Sequence, residues 1–334
     1  MANNEKKGNA FVNNPIVRAI GTQKIVVVAA LIVLFAFFCI ASPAFRQYST
    51  ILSIFDYSYY MSFMAIGVTF CLMTGGNDLS IGTGIICYGL IGGYMINELH
   101  QPTIVAILVT MLVAVLFGVL NGFLTAVLDL PPFIATLGTM MITRGLGSIA
   151  VGGLSQTWPP AGTADGWFRN IFKLDLGGTK VPLGFVWVII LVILMTIVLN
   201  KTKPGRYIIA IGSNKEATRL SGVNVVKYQM LAYIFCGFFT GLGAIAYAAT
   251  FQAIAPGTGA GLELDAIGGA IIGGTSMYGG SGSVVGTLLG VFIMSMLKTG
   301  LPFIGLQANW QQIITGLVLI FAVLIDVLKN KKVE

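Results

Sequence analysis

Charge is what this sequence has least of. Only 9% of its 334 residues are Asp, Glu, Lys or Arg, against roughly a quarter in soluble domains. With 56% hydrophobic residues, that shortage excludes a water-soluble globule with an ordinary surface. Histidine is scarcer still. His100 stands alone at the end of an apolar run, beside Gln101 and Pro102, too isolated for a metal centre or a nucleophile–His pair. The four cysteines, Cys39, Cys71, Cys87 and Cys236, all fall inside apolar runs with no C-x-x-C spacing. They read as core thiols rather than disulfides or metal ligands. No G-x-x-x-x-G-K-[ST], H-E-x-x-H or G-x-S-x-G occurs, so no phosphate cradle, catalytic residue or metal site is expected.

What the chain has instead is apolar length. Runs near 25–41, 57–74, 81–97, 103–127, 133–151, 183–200, 228–250, 262–278, 283–300 and 309–328 are each long enough to cross the roughly 30 Å hydrocarbon core as a helix. With no water to satisfy bare backbone there, these runs must be helices packed on one another. The expected fold is all-α, a polytopic integral membrane protein with about ten transmembrane helices. The first run resembles a signal-peptide core, and Ser42-Pro43-Ala44 resembles a cleavage site. The many spans that follow make it an uncleaved anchor.

The formal net charge of +7 raises the question of nucleic acid, and the distribution answers it. Lys6, Lys7, Arg18 and Lys24 precede the first run, and Lys329, Lys331 and Lys332 follow the last. Lys201, Lys203, Arg206, Lys215, Arg219 and Lys227 gather around one loop. That is the positive-inside pattern, so lipid is the partner and nucleic acid is not. It predicts cytoplasmic tails at 1–24 and 329–334 and a transmembrane domain at 25–328. Parity then puts 201–227 in the cytoplasm and 152–182 outside. The outer loop contains Trp158, Pro159, Pro160, Trp167 and Phe168, which read as an aromatic belt on the interface, serving as a lid or anchor, or as a docking surface for a partner.

The 43 glycines are many, and their spacing matters. Gly89/Gly93, Gly118/Gly122, Gly237/Gly241, Gly269/Gly273 and Gly286/Gly290 each make G-x-x-x-G, which lets helix backbones approach closely. Two segments, "GGNDLSIGTG" (75–84) and "GGTSMYGGSGS" (273–283), join apolar runs with almost no polar linker. They are candidates for re-entrant hairpins. Aligning Gly75-Gly76 with Gly273-Gly274 also aligns Gly82 with Gly280, which suggests either a parallel internal repeat or chance similarity.

Ionisable groups within spans are costly and so are functional candidates. Asp78 lies in the first Gly-rich segment, Arg144 well inside a span, and Glu263 and Asp265 at the outer start of another. A carboxylate partner for Arg144 is the alternative to a place beside a substrate path. The other polar groups, Asn77, Ser80, Thr136, Thr139, Thr143, Thr275 and Ser276, are hydroxyls and amides. They suit a neutral hydroxylated solute more than an ion, or else bond back to their own helices.

In the basic loop, Lys215 to Leu220 favours a short helix with Gly222 placed to end it. Pro204-Gly205 reads as a turn before it. Such a helix either lies on anionic headgroups or projects toward a cytoplasmic partner.

Here the chain resembles a known family. "GRYIIAIGSNKEATRLSGVNV" is similar to the cytoplasmic loop of permease subunits of bacterial ribose-type ABC sugar importers. Glu216-Ala217-Thr218-x-x-x-Gly222 follows the E-A-A-x-x-x-G signature of such permeases, departing only at Thr218. "GGNDLSIGT", "PPFIATLGTMMITRG", "GGTSMYGGSGSVVGTLLG" and "NWQQIITGLVLIFAVLID" resemble the same family in the same order, from about 25 to 328. Asn77 departs from the Ile or Val of many relatives.

The resemblance implies a non-catalytic subunit in the bacterial plasma membrane, with both termini cytoplasmic. It implies that Glu216, Ala217, Thr218, Arg219 and Gly222 form a coupling helix seated in an ATPase subunit. ATP and Mg would be used by that partner, and no cofactor would be bound by this chain. An extracytoplasmic sugar-binding protein would deliver a monosaccharide, and a second permease copy would complete the path. Asn77, Asp78, Ser80, Thr136, Thr139, Arg144, Thr275 and Ser276 would approach it. A nucleoside or branched-chain amino-acid ABC permease is the nearer alternative reading. A stand-alone secondary transporter is the more distant one.

Overall fold

The computed structural model describes residues 22–330; residues 1–21 of the expected N-terminal tail, with Lys331 and Lys332, lie outside that range, and Thr22 to Lys24 of that tail belong to the first helix. Among the described residues, thirteen α-helices follow one another: α1 Thr22–Ala41, α2 Tyr48–Met73, α3 Ile81–Asn97, α4 Thr103–Gly122, α5 Pro132–Ala150, α6 Trp167–Phe172, α7 Leu183–Lys201, α8 Lys203–Ser213, α9 Lys215–Leu220, α10 Val225–Thr250, α11 Leu262–Ile272, α12 Val284–Gly300 and α13 Ala308–Asn330. A π turn, Phe123–Val127, extends α4. Short strands, β1 Gln156–Thr157 with β4 Ala253–Ile254 and β2 Leu174–Leu176 with β3 Thr179–Val181, pair antiparallel. Among the described residues, seven helices are long and apolar enough to cross a membrane, and two shorter apolar helices accompany them.

Two expectations about span limits change. The run near 57–74 belongs to a longer helix that begins at Tyr48. The run near 262–278 is helical only to Ile272, and its eleven residues rise about 16 Å, half the hydrocarbon core. What stops α11 is a glycine pair. Gly274 takes a φ of +99°, and the Thr275 N–H reaches back to Ala270 O at 2.9 Å. The C-terminus of α2 ends in the same way, with Gly75 at +77° and Gly76 N–H to Cys71 O at 3.1 Å. Both are the glycine-terminated cap that satisfies the last helical carbonyls. The two Gly-rich segments therefore share their geometry, offset by one residue from the sequence alignment, with Gly75 rather than Gly76 matching Gly274.

Lipid tails supply no hydrophobic drive between helices, so close backbone approach does the packing. Four of the five G-x-x-x-G pairs meet each other, while Gly89 and Gly93 face the side chains of Ile254 and Gln156. A Cβ on Gly118 would stand 2.7 Å from Tyr233 O and 3.0 Å from Gly237 Cα, so α4 and α10 cross backbone to backbone. Gly269, Gly273, Gly286 and Gly290 join α11 and α12 likewise, each facing backbone atoms of the opposite helix. The core gathers on α2, α10 and α12, which are buried on most faces, whereas α4, α5 and α7 are largely exposed. Cys71, Cys87 and Cys236 are buried free thiols and Cys39 is half-buried.

The bundle has two distinct ends. At one, the segments 74–80, 128–131, 202–224 and 273–283 gather, and this end has most of the loop cations among the described residues. At the other, residues 151–182 cover α3, α10 and the start of α4. Trp158 and Phe168, expected on a membrane interface, are instead packed inside, and Trp167 alone of the three is exposed. The cause is polar. The Trp158 indole N–H donates to Gly89 O at 2.9 Å. Arg169 donates to Pro159 O at 2.6 Å, Ala249 O at 2.8 Å and Trp158 O at 3.1 Å. His100, three residues past the end of α3, is exposed and has a left-handed φ of +51°.

Candidate functional site

The basic loop has two helices where one was expected. Pro204-Gly205 is not a turn but the first turn of α8, because proline is tolerated where the N–H would be unpaired anyway. Thr202 caps that helix by accepting from Gly205 N–H at 3.4 Å. α8 is amphipathic, with Gly205, Ile208 and Ile211 buried and Lys203 and Arg206 exposed.

The helix α9 then projects from the bundle. Asn214 caps it, its Oδ1 accepting from Ala217 N–H at 2.8 Å. Its end is a complete glycine cap, in which Gly222, at φ +80°, donates to Arg219 O at 3.0 Å and Val223 N–H reaches Thr218 O at 3.4 Å. Glu216 and Arg219 face solvent and pair one turn apart at 3.7 Å. Leu220 is 81% exposed at the tip. Thr218, the departure from the signature, is the one buried residue of the helix, and its hydroxyl bonds back to Asn214 O at 2.8 Å.

Three glycines fasten this projection to the bundle. A Cβ on Gly212, at the end of α8, would collide with Met73 O and Gly280 N. One on Gly279 would stand 2.8 Å from Gly75 N and 2.9 Å from Gly212 Cα. Gly280 N–H donates to Met73 O at 3.0 Å, tying the second Gly-rich segment to the end of α2. Lys215 reaches Asp129 at 3.2 Å, linking α9 to the segment before α5.

The residues expected along a path form separate clusters. Asp78 is 2% exposed and accepts from Ser80 N–H at 2.9 Å, Ser80 Oγ–H at 2.6 Å and the Asn121 amide at 3.2 and 3.1 Å. Asn121, on α4, is a residue that sequence reasoning misses, because an amide inside an apolar run carries no distinguishing neighbour. Tyr233 donates to Asn77 O at 3.3 Å, and the side-chain oxygens of Asn77 and Asn121 are buried without partners among the described residues. Asp78, Ser80, Tyr88, Asn121 and Thr240 close on one another and leave no water-sized space.

Thr136, Thr139 and Thr143 share the buried face of α5. Each bonds back to its own helix, at 2.8, 3.1 and 3.0 Å, and Thr143 also meets Thr83 of α3 at 2.7 Å. Thr275 sits 3.4 Å from Thr287. Ser276 donates to Asp326 of α13 at 3.1 Å. Arg144 lies elsewhere. It is exposed on the outer face of α5, with no ion pair among the described residues. On the same helix, a Cβ added to Gly138 or Gly145 would meet no described atom within 4 Å.

At the opposite end the expected outer acids find cations or backbone donors. Asp265 pairs with Lys298 of α12, and Glu263 folds back onto Gly261 N–H at 3.0 Å. Asp56 pairs with Lys173 at 2.5 Å. Burial lowers the Arg169 pKa from its ordinary value, and the three carbonyls around it receive its donors. No group of three or more potential metal ligands occurs among the described residues.

Comparison with known proteins fits this arrangement. The family described as branched-chain amino acid transport system / permease component matches residues 50–323. The ribose import permease protein of Escherichia coli K12 is 34% identical over 309 residues, covering 91% of this chain and 92% of the relative. The galactose/methyl galactoside import permease protein of Haemophilus influenzae is 33% identical, covering 90% and 93%. The ribose import permease protein of Bacillus subtilis is 31% identical, covering 91% and 92%. No solved structure matches significantly.

Proposed function

This chain belongs to the family of transport-system permease components just described, and on that premise we infer that it is the membrane subunit of an ATP-binding-cassette importer of monosaccharides. The relatives that match nine-tenths of it are named for ribose and galactose import, which supports a sugar over a branched-chain amino acid or a nucleoside. The chain itself performs no chemistry. An ATPase subunit using ATP and Mg drives the cycle, and an extracytoplasmic binding protein delivers the sugar.

The observation that carries the coupling role is α9. A six-residue helix capped at both ends, exposed on every face but Thr218 and tipped by an exposed Leu220, is built to be held by something else. Isolated helices this short are unstable in water, so its caps and its seating matter. Glu216, Ala217, Arg219 and Gly222 define the part that enters the ATPase, and Thr218 faces the permease. Closure of two ATPases moves α9, and α8 passes that motion to both Gly-rich segments. The cationic end is cytoplasmic, in keeping with the distribution of Lys and Arg.

Two copies form the path. An arginine exposed within an apolar span costs roughly 2.5–3.5 kcal/mol on insertion scales. Arg144 avoids that cost if α5 faces a hydrated path shared with a second copy, and the open Gly138 and Gly145 permit close approach.

The test is uptake of labelled pentoses and hexoses by cells with and without the chain, then by proteoliposomes with the ATPase and binding protein added in turn. Uptake that needs all three supports the reading. Robust counterflow by the purified chain alone overturns it in favour of a stand-alone carrier. Sugar-stimulated ATP hydrolysis that survives in a Glu216→Ala/Gly222→Val double variant overturns the coupling assignment.

A further inference from the structure

A cavity of about 200 Å³ opens at the end of the bundle opposite α9, lined by Ser53, Asp56, Tyr57, Thr250 and Phe251. It is smaller than the 300–1,000 Å³ of drug-sized sites, so its occupant is small. Its wall is aromatic. The Tyr57 and Phe251 rings are 6.2 Å apart, and behind them Tyr60 and Tyr247 pack at 5.1 Å and Tyr247 and Phe251 at 4.5 Å. Rings fixed by such neighbours present rigid apolar faces.

The polar groups are acceptors and hydroxyls. Asp56 gives one oxygen, Oδ2, to Lys173, while Oδ1 takes no donor among the described residues. Ser53 and Thr250 donate to Ser49 O at 3.0 Å and Ala246 O at 2.9 Å, which leaves their lone pairs free. Lys173 compensates the Asp56 charge, so the pocket is close to neutral and rich in acceptors.

We propose that this cavity is a transit site for a single monosaccharide ring at the entrance of the membrane path, a site that takes the sugar as it leaves its delivery protein. The fit is chemical. A sugar ring has a face of C–H bonds, which packs on Tyr57 and Phe251, and an edge of hydroxyls, which donate to Asp56 Oδ1 and to the oxygens of Ser53 and Thr250. A free amino acid would need an open cation and an open anion. Here the cation, Lys173, is already held by Asp56 Oδ2 at 2.5 Å, so no second charge stands ready for the carboxylate of an amino acid.

The loop that supplies Lys173 also places Arg169 on the Ala249 carbonyl, one residue before Thr250. Loop 151–182 therefore shapes the cavity from both sides. Two outer-loop cations acting on the cavity wall give a delivery protein seated on this loop a direct means of opening or closing the site.

This inference rests on the sugar-importer reading, and the test separates the two. The permease–ATPase complex in lipid nanodiscs, without binding protein, is titrated with labelled ribose and galactose into the millimolar range. The same titration is run on Phe251→Ala, Asp56→Asn and Tyr57→Phe, with size-exclusion profiles checking assembly. Saturable binding that weakens at least tenfold in Phe251→Ala and Asp56→Asn, and less in Tyr57→Phe, is the expected result. The hydroxyl-only Tyr57→Phe change keeps the comparison available if a larger substitution does not assemble.

Unchanged binding in all assembled variants overturns the site. So does absent binding in a complex that still imports sugar with its binding protein, and in both cases the importer reading stands. Displacement of the sugar by leucine or valine overturns the neutral-ring argument. Saturable leucine binding without sugar binding removes the importer reading as well.

Discussion

Loop 151–182 and loop 202–224 both interrupt the apolar chain with polar residues, yet they use them in opposite directions. The first turns Trp158, Phe168 and Arg169 inward. Trp158 and Phe168 are buried, and Arg169 directs its donors onto carbonyls of its own chain. The second buries only one face of α8 and Thr218, turns most of the side chains of α9 outward, and holds that short helix by local bonds, the Asn214 cap and the Gly222 cap. A segment that must hold a shape puts its polar groups into the fold. One that must be grasped leaves them free and relies on local bonds.

The difference can be broken from either side. Trp158→Ala should have the largest effect, about 3–5 kcal/mol of stability, because it empties the space over Gly92 and removes the bond to Gly89 O. Thermal unfolding in detergent reads this as a lowered midpoint. Arg169→Met should follow at about 3 kcal/mol, since buried carbonyls lose charged donors. An unfolding midpoint within about a degree of wild type would mean those carbonyls find other partners.

In the second loop, Gly222→Val forces a β-branched residue to φ +80°, a local cost of about 1–2 kcal/mol. Its main consequence should be functional. Membrane insertion and yield remain near wild type while sugar-stimulated ATP hydrolysis falls at least tenfold. The smallest effect belongs to Lys215→Met. Its ion pair with Asp129 is exposed at both ends, so stability should change by less than about 1 kcal/mol and become insensitive to salt at that site. A large loss there would give the Asp129 link a share in coupling.

One loop is far more legible in the sequence than the other. The short helix, its end at Gly222 and its exposure follow from residues adjacent in the chain, so spacing is enough. Most membrane helices are readable too, because hydrophobic length is a local property, although their limits are less so. The fate of Trp158 depends on Gly89 and that of Arg169 on Ala249, and no pattern within 151–182 encodes partners so far away. The same reason hides Asn121, which becomes significant only beside Asp78. Pro204-Gly205 has the composition of a turn, but Thr202, placed to cap a helix, outweighs that signal. The expected span 262–278 runs past Ile272 only through Gly273-Gly274-Thr275-Ser276-Met277-Tyr278, and hydropathy averaged over the whole run does not register the glycine that stops the helix.

The meeting of Gly75, Gly212 and Gly279 has one more consequence. Joints between helices commonly include side chains that can switch rotamers and so absorb a small displacement. Backbone resting on backbone has no such slack, and a push on α8 must therefore either carry both Gly-rich segments with it or pull the contact apart. While that contact holds, the joint is a mechanical linkage without backlash, in which travel at the end of α8 is travel at the end of α2.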